Sequence, residues 1–221
     1  MNNQSFNKAR KIMLESQIRP NKVIDEMVLS AFASIPREIF VHKSMQDIAY
    51  IDEDLPLSNG RYLMEPMVLA RMLQALEIRP DDSVLIVGAG CGYGTAVAAK
   101  LAGSVIAIET RAYLVDKAQD VLVSIGVDNA AIVKSRLVDG YPEEGPYERI
   151  LIEGGVETVP EKCQPLLIQL FNVLNQVVDT YKDGPLIAMF DCVGSIAQAV
   201  GDGLKNPEIL STLLPLLNKK W

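Results

Sequence analysis

The sequence predicts an α/β fold built on a mostly parallel sheet. Three observations predict it. Ser83-Val84-Leu85-Ile86-Val87 is a continuous apolar run, as expected of a strand covered on both faces. A glycine-rich stretch, Gly88-Ala89-Gly90-Cys91-Gly92, follows it directly. Strand-like and helix-like stretches then alternate, the pattern of a parallel sheet with helical crossovers.

The elements follow in order. Residues 5–34 read as helical: Met13, Leu14 and Ile18, then Val28, Leu29, Phe32 and Ile35, fall at helical spacing. Arg19-Pro20-Asn21 breaks them into two segments. Residues 46–63 carry Asp, Pro, Asn and Gly without a clear period and read as a structured loop. Residues 66–76 return to helical spacing through Val68, Leu69, Met72, Leu73 and Leu76. After the strand at 83–87 come an alanine-rich helix at 94–101, a strand at 105–108 and a helix at 111–125, with Gly126 as its C-cap. Strands at 131–133 and 149–152, a helix at 160–170 and a strand at 173–180 complete the alternation. Asp183-Gly184 signals a hairpin into residues 185–190, which predicts an antiparallel C-terminal edge. The expected organisation is an N-terminal helical and loop region, 1–80, packed on a core at 81–221 as one compact domain.

Composition narrows the function classes. The 221 residues are 49% hydrophobic and 22% charged, with a net charge of −7 and a pI near 4.8. An acidic body repels phosphate backbones, so general nucleic-acid binding is excluded. Cys91, Cys163 and Cys192 lie far apart, and His42 is the single histidine; neither a disulfide framework nor a metal site is expected. A reducing cytoplasm is the expected location. The N-terminus MNNQSFNKARKIML lacks a signal peptide's apolar core. No apolar run approaches the roughly 20 residues of a membrane span, and no membrane association is expected.

Glycines between a strand and a helix let the backbone turn tightly and approach a ligand without a Cβ in the way. About 20 residues on, the second strand ends in Glu109, where a carboxylate can accept hydrogen bonds from ribose hydroxyls. A nicotinamide or flavin enzyme is the rival reading. Such enzymes use Gly-x-Gly-x-x-Gly, whereas the spacing here is Gly88-x-Gly90-x-Gly92 after an 80-residue N-terminal region. Both details favour a Rossmann-like methyltransferase fold, with S-adenosylmethionine as the cofactor.

Further motifs carry a resemblance. Ile35-Pro36-Arg37-Glu38-Ile39-Phe40-Val41 matches "VPRxxFV". Ala49-Tyr50-Ile51-Asp52 and Leu55-Pro56-Leu57 match "AYxDxxLPI", and Gly60 and Pro66 frame "GxTxSQP". Gly145-Pro146-Tyr147-Glu148-Arg149-Ile150 matches "APYDxI", and Val159-Pro160 the "VP" after it. In this order the chain resembles the protein-L-isoaspartate O-methyltransferase family over residues 13–170. The resemblance implies methylation of the free α-carboxylate of L-isoaspartyl residues in damaged proteins. The ester then collapses to a succinimide, whose hydrolysis returns some normal aspartate. It implies a peptide or protein partner; the oligomeric state stays open, with a monomer favoured. The implied cofactor contacts are Val87, Gly88, Ala89, Gly90, Gly92, Tyr93, Glu109 and Thr110, with Arg136 and Leu137 after the third strand.

The chain departs from the family at the acceptor side. Met64 stands at the family's serine, Tyr62 at its threonine and Glu65 at its glutamine. Ile86 replaces an acid inside the first strand, Ser135-Arg136-Leu137 replaces "GDG", and Glu153-Gly154-Gly155 replaces a run of small residues. The expected acceptor contacts are Arg61, Tyr62, Met64 and Glu65. Glu65 and Glu153 are the candidate acid–base groups, Glu153 because ligands of open α/β sheets gather at the carboxyl ends of strands. Arg61 offers a guanidinium fork for an acceptor carboxylate. Cys91 reads as a small filler, although a helix N-terminus there would lower its pKa. Two alternatives remain open: a small-molecule carboxyl or hydroxyl methyltransferase, and a non-catalytic protein that kept the cofactor site.

Overall fold

A computed structural model describes residues 3–155 except Asn59, together with Pro207 and Ser211. The chain divides into two units, Met1–Gly154 and Gly155–Trp221; the sheet, its helices and the crevice belong to the first. The expected helix at 160–170, the strand at 173–180 and the hairpin at 185–190 lie outside the described residues.

The N-terminal helical stretch is broken as expected. Helix α1 (Asn3–Met13) runs into one wide turn, Leu14–Ile18, and a tight turn, Arg19–Asn21, before α2 (Glu26–Ser34). Asp25 caps α2 by accepting from the backbone N–H of Met27 at 2.8 Å and Val28 at 3.3 Å, which satisfies donors that a helix start leaves free. Val28, Leu29, Ala31 and Phe32 form its buried face.

The expected loop at 46–63 contains a hairpin. Strands β1 (Leu55–Ser58) and β2 (Arg61–Leu63) pair antiparallel, with an irregularity between Pro56 and Ser58. Strands of four and three residues are too short to show a period of two. Helix α3 (Pro66–Leu76) comes next, at the expected bounds. Proline at its first position costs no hydrogen bond. Asp54 and Asp52 of the preceding loop accept from Glu65 N and Met67 N at 2.9 and 3.2 Å.

The main sheet holds β3 (Ser83–Val87), β4 (Ser104–Glu109), β5 (Ala130–Lys134) and β6 (Arg149–Ile152), all parallel, in the order β5-β4-β3-β6. Val84, Leu85 and Ile86 of β3 are buried, as the unbroken apolar run required. Helix α4 (Tyr93–Ala99) is buried along its whole length; its alanines let it lie close to the sheet. Helix α5 (Ala112–Ser124) buries Leu114, Val115, Ala118 and Leu122, and Gly126 comes after it at a φ of +69°. One apolar core joins the N-terminal helices to the sheet, from Met13, Phe32 and Phe40 through Leu69 and Leu73 to Ile86 and Val97.

The topology fixes where a ligand belongs. From β3 the chain builds outward through β4 to β5, then returns to place β6 on the other side of β3. The loops after β3 and β6 therefore diverge. The crevice outside the carboxyl ends of strands at such a switch point is where open α/β sheets bind ligands.

Candidate active site

Four strand ends converge on that crevice: Val87 into the glycine loop, Glu109, Lys134, and Ile152 into Glu153. The loop is tied to β4, because the N–H groups of Gly88 and Ala89 both donate to Ile108 O, at 2.9 and 3.0 Å. Gly88 sits at a φ of +92°. A Cβ there would lie 3.0 Å from Glu153 O and 3.1 Å from Arg61 Nη2. Backbone angle and crowding together require glycine.

The β1–β2 hairpin lies over this loop. Leu57 Cδ1 is 3.3 Å from where a Gly90 Cβ would stand, and Tyr62 O is 3.8 Å from it. Arg61 extends across Gly88 and donates from Nη2 to Glu109 Oε2 at 2.7 Å. Gly90 N donates to the same oxygen at 3.0 Å. Glu109 Oε1 accepts from Thr110 N, Thr110 Oγ1 and Arg111 N at 2.7, 3.1 and 3.2 Å. The Glu109 side chain is fully buried. Burial pushes its carboxyl up, but the hydrogen bond and charge of Arg61, with the Arg111 and Gly90 amides, outweigh that and hold it below the ordinary range.

Glu153 has the opposite fate. It continues the ladder beyond β6, with its N–H on Val87 O at 2.9 Å. Its side chain folds against the start of α4, where a Cβ on Gly94 would lie 2.7 Å from its Cδ. Oε2 is buried and has no hydrogen-bond partner. Burial pushes the carboxyl from its ordinary 4.5 up to about 8; Arg37 and Arg61 pull against the rise and Glu109 adds to it. Glu153 is therefore a neutral acid at pH 7, able to donate a proton and short of an acceptor. Between those two values the folded chain binds more protons than the unfolded one. Stability should then fall as pH rises from about 4.5 to about 8, by at most about 1.4 kcal/mol per pH unit, and level off above. Urea-unfolding midpoints across this range test it. Glu153→Gln should flatten the slope, and an unchanged slope would refute the assignment.

The residues expected to contact an acceptor lie along one segment. Arg61, Tyr62 and Leu63 form β2, and Met64 and Glu65 lead into α3. Tyr62 is 60% exposed, whereas Met64 packs against the core and its carbonyl accepts from Arg37 Nη2 at 2.7 Å. Glu65 makes no side-chain cap to α3; burial first, then the charges of Asp52, Asp54 and Glu53, raise its pKa. Beside Glu109, a cavity of about 270 Å³ is lined by Thr110, Lys134, Ser135 and Arg136. Leu137 begins the short turn after it, and Arg136 lies 3.5 Å from Asp139.

Three expectations need correction or completion. Tyr93 adjoins the loop, but its side chain is fully buried, edge-on to Phe32 and Phe40 with the Arg37 guanidinium 4.8 Å from its ring centre; the ring packs in the core, which leaves the backbone as the part of Tyr93 next to the loop. Cys91 is indeed a buried filler, but its pKa moves up, to about 11, because burial outweighs the Tyr93 amide. Arg37 was visible only as a letter of a motif. It is fully buried, and its Nε and Nη2 donate to Ala49 O and Met64 O, each at 2.7 Å. A charged residue next to Pro36 in an apolar stretch was the available signal. His42, by contrast, is an exposed cap that accepts from Ser44 N. No described helix is long and apolar enough to cross a membrane.

A family model described as Protein-L-isoaspartate(D-aspartate) O-methyltransferase (PCMT) matches residues 8–172. The chain belongs to that family. It is 38% identical over 161 residues to the protein-L-isoaspartate O-methyltransferase of Methanoculleus marisnigri, covering 73% of this chain and 72% of that one. A solved protein-L-isoaspartate O-methyltransferase matches at 27% identity with a TM-score of 0.62, covering 69% of this chain. The chain spans half the length of that solved protein. A Plasmodium falciparum structure bearing the family's name and holding S-adenosyl-L-homocysteine shares the fold, with a TM-score of 0.59 at 22% identity over 71% of this chain and 78% of that one. The family is one of O-methyltransferases, and its fold is the α/β methyltransferase arrangement predicted from the strand and loop pattern.

Proposed function

We propose that the chain is an S-adenosylmethionine-dependent O-methyltransferase acting on the free α-carboxylate of L-isoaspartyl residues in peptides or proteins. The buried carboxylate of Glu109, at the end of β4 and bonded to the loop amide of Gly90, carries this reading. The site fits the cofactor. Gly88 and Gly90 keep the loop's crevice side free of Cβ atoms, Glu109 is held ionised for ribose hydroxyls, and the cavity at Thr110, Lys134, Ser135 and Arg136 adjoins it for the base. When bound, the cofactor supplies an electrophilic methyl on a sulfonium.

The residues of this chain then bind and orient. An acceptor carboxylate is already the nucleophile at neutral pH, so placement rather than proton removal governs the rate. That is why Met64 at the family's serine is compatible with transfer. The Arg37 bond to Met64 O fixes the backbone that leads from the hairpin into α3. The hairpin packs on the loop, with Leu57 and the Tyr62 carbonyl against Gly90.

Base-labile incorporation of labelled methyl from S-adenosylmethionine into an isoaspartyl peptide, and none into its aspartyl counterpart, is the expected result. No incorporation would overturn the acceptor. A small-molecule acceptor that must lose a proton is the second reading. It is favoured by the acidic rim of Asp52, Glu53, Asp54 and Glu65, and transfer to small hydroxyl compounds in the same assay would select it. Cofactor binding without transfer to any acceptor would mark a non-catalytic homologue.

A further inference from the structure

Glu109 has no acceptor capacity left for a ribose. Each carboxylate oxygen offers about two lone-pair sites; Oε1 already takes three donors, and Oε2 is filled by Gly90 N and Arg61 Nη2, so one site opens at Oε2 only when Arg61 leaves. Three of these donors are backbone amides, of Gly90, Thr110 and Arg111, fixed by the loop and the strand end. The Thr110 hydroxyl only rotates. Arg61 alone stands on a long side chain, and it comes from a different element, the β1–β2 hairpin. It also occupies the space over Gly88, 3.1 Å from where a Cβ would stand. A ribose that engages Glu109 therefore displaces Arg61.

The freed side chain has one evident use. Asp54 and Asp52 accept from Glu65 N and Met67 N, and with Glu53 and Glu65 they form an acidic rim beside the Tyr62–Glu65 segment, whose charges add to the rise that burial gives the Glu65 pKa. An anionic acceptor entering there needs a compensating cation. Arg61 stands one residue before Tyr62, is 24% exposed, and has a buried Nε without a hydrogen-bond partner. Released from Glu109, it offers Nε and Nη2 as the two-pronged donor that suits a carboxylate.

We propose that Arg61 is a specificity-determining residue with two positions: a latch on Glu109 in the free chain, and the receptor for the acceptor's carboxylate once a cofactor ribose has taken Glu109. Cofactor and acceptor binding are thereby coupled. The coupling is reciprocal, as binding linkage requires. This inference rests on the reading of the crevice as a cofactor site.

Calorimetric titration with S-adenosylhomocysteine, with and without a saturating isoaspartyl peptide, tests it in the wild type, Arg61→Gln and Arg61→Lys. In the wild type, S-adenosylhomocysteine should tighten peptide binding about tenfold, the worth of one charge-assisted hydrogen bond. Arg61→Gln should bind S-adenosylhomocysteine about as much more tightly, because the latch is gone, and should lose the coupling. Arg61→Lys, which keeps the charge without the fork, should retain part of the latch and bind peptide poorly. Wild-type affinity for S-adenosylhomocysteine equal to or above that of Arg61→Gln, peptide binding indifferent to S-adenosylhomocysteine, or no peptide binding at all: each result overturns the proposal and leaves the cofactor reading standing. No wild-type binding of S-adenosylhomocysteine at millimolar concentration would instead remove the cofactor reading and this inference together.

Discussion

Glu109→Gln is expected to weaken S-adenosylhomocysteine binding by about 10- to 10²-fold. Hydrogen bonds to a charged group contribute about 1.5–3 kcal/mol each, and the ribose hydroxyl that takes Arg61's place on Oε2 would lose that charge. The amide adds a second fault. One end of a glutamine side chain is a donor, so its NH2 must face either Gly90 N or the paired amides of Thr110 and Arg111, all of which now donate. The carboxyl's pKa lies below the ordinary range despite burial, so its contribution to stability is present above the unfolded value and is lost only as pH falls through the lower folded one. Wild-type cofactor affinity should accordingly show no Glu109 titration between about pH 6 and about pH 9. Calorimetry across that range checks both statements; a less than fivefold loss in the variant would remove Glu109 from the cofactor site.

Arg37→Leu is expected to lower stability by about 3 kcal/mol, and with it the melting temperature by about 10 °C for a chain of this size. The substitution leaves Ala49 O and Met64 O buried without donors, at about 1–3 kcal/mol each, and removes the guanidinium from the Tyr93 face. It regains part of this through an apolar side chain and through the disappearance of Nη1, which is buried and unpartnered. The effect should reach function, because Met64 O is one of the two anchors and Met64 lies in the segment that leads into α3. Arg37→Lys should restore little, since an ammonium cannot reproduce the planar fork that meets both carbonyls. Thermal unfolding followed by circular dichroism measures it; a change within about 2 °C would show that the buried arginine is dispensable.

How much of the fold and the site is legible in the sequence depends on the range of the interaction. The helix at Pro66–Leu76 and the strands at Ser83–Val87 and Arg149–Ile152 have the bounds that the sequence predicts, because burial writes a helical period into the first and an unbroken apolar run into the strand at the centre of the sheet. The glycine loop and Glu109 are legible for a related reason: a strand, a tight turn and an acid about 20 residues on are a local sequence pattern. The β1–β2 hairpin is hidden because its strands are too short to show a period, and Pro56 within β1 obscures even that.

The α/β alternation, the position of the glycine loop, the acid that follows it and the family can all be read along the linear sequence. Those features depend on the order of residue types along one stretch of chain. What the charged groups do is set by the packed fold alone. Arg61 and Glu109 are 48 positions apart, and nothing local states that one closes the other's lone pairs. Glu153 is held protonated because β6 returns beside β3 and folds its side chain against Gly94, with Oε2 buried and without a partner. Arg37 holds the backbone that leads into α3 because the fold carries Ala49 O and Met64 O to its guanidinium. Burial and pairing across long separations set charge states and hydrogen-bond partners, and these are properties of the packed chain rather than of its residues in order.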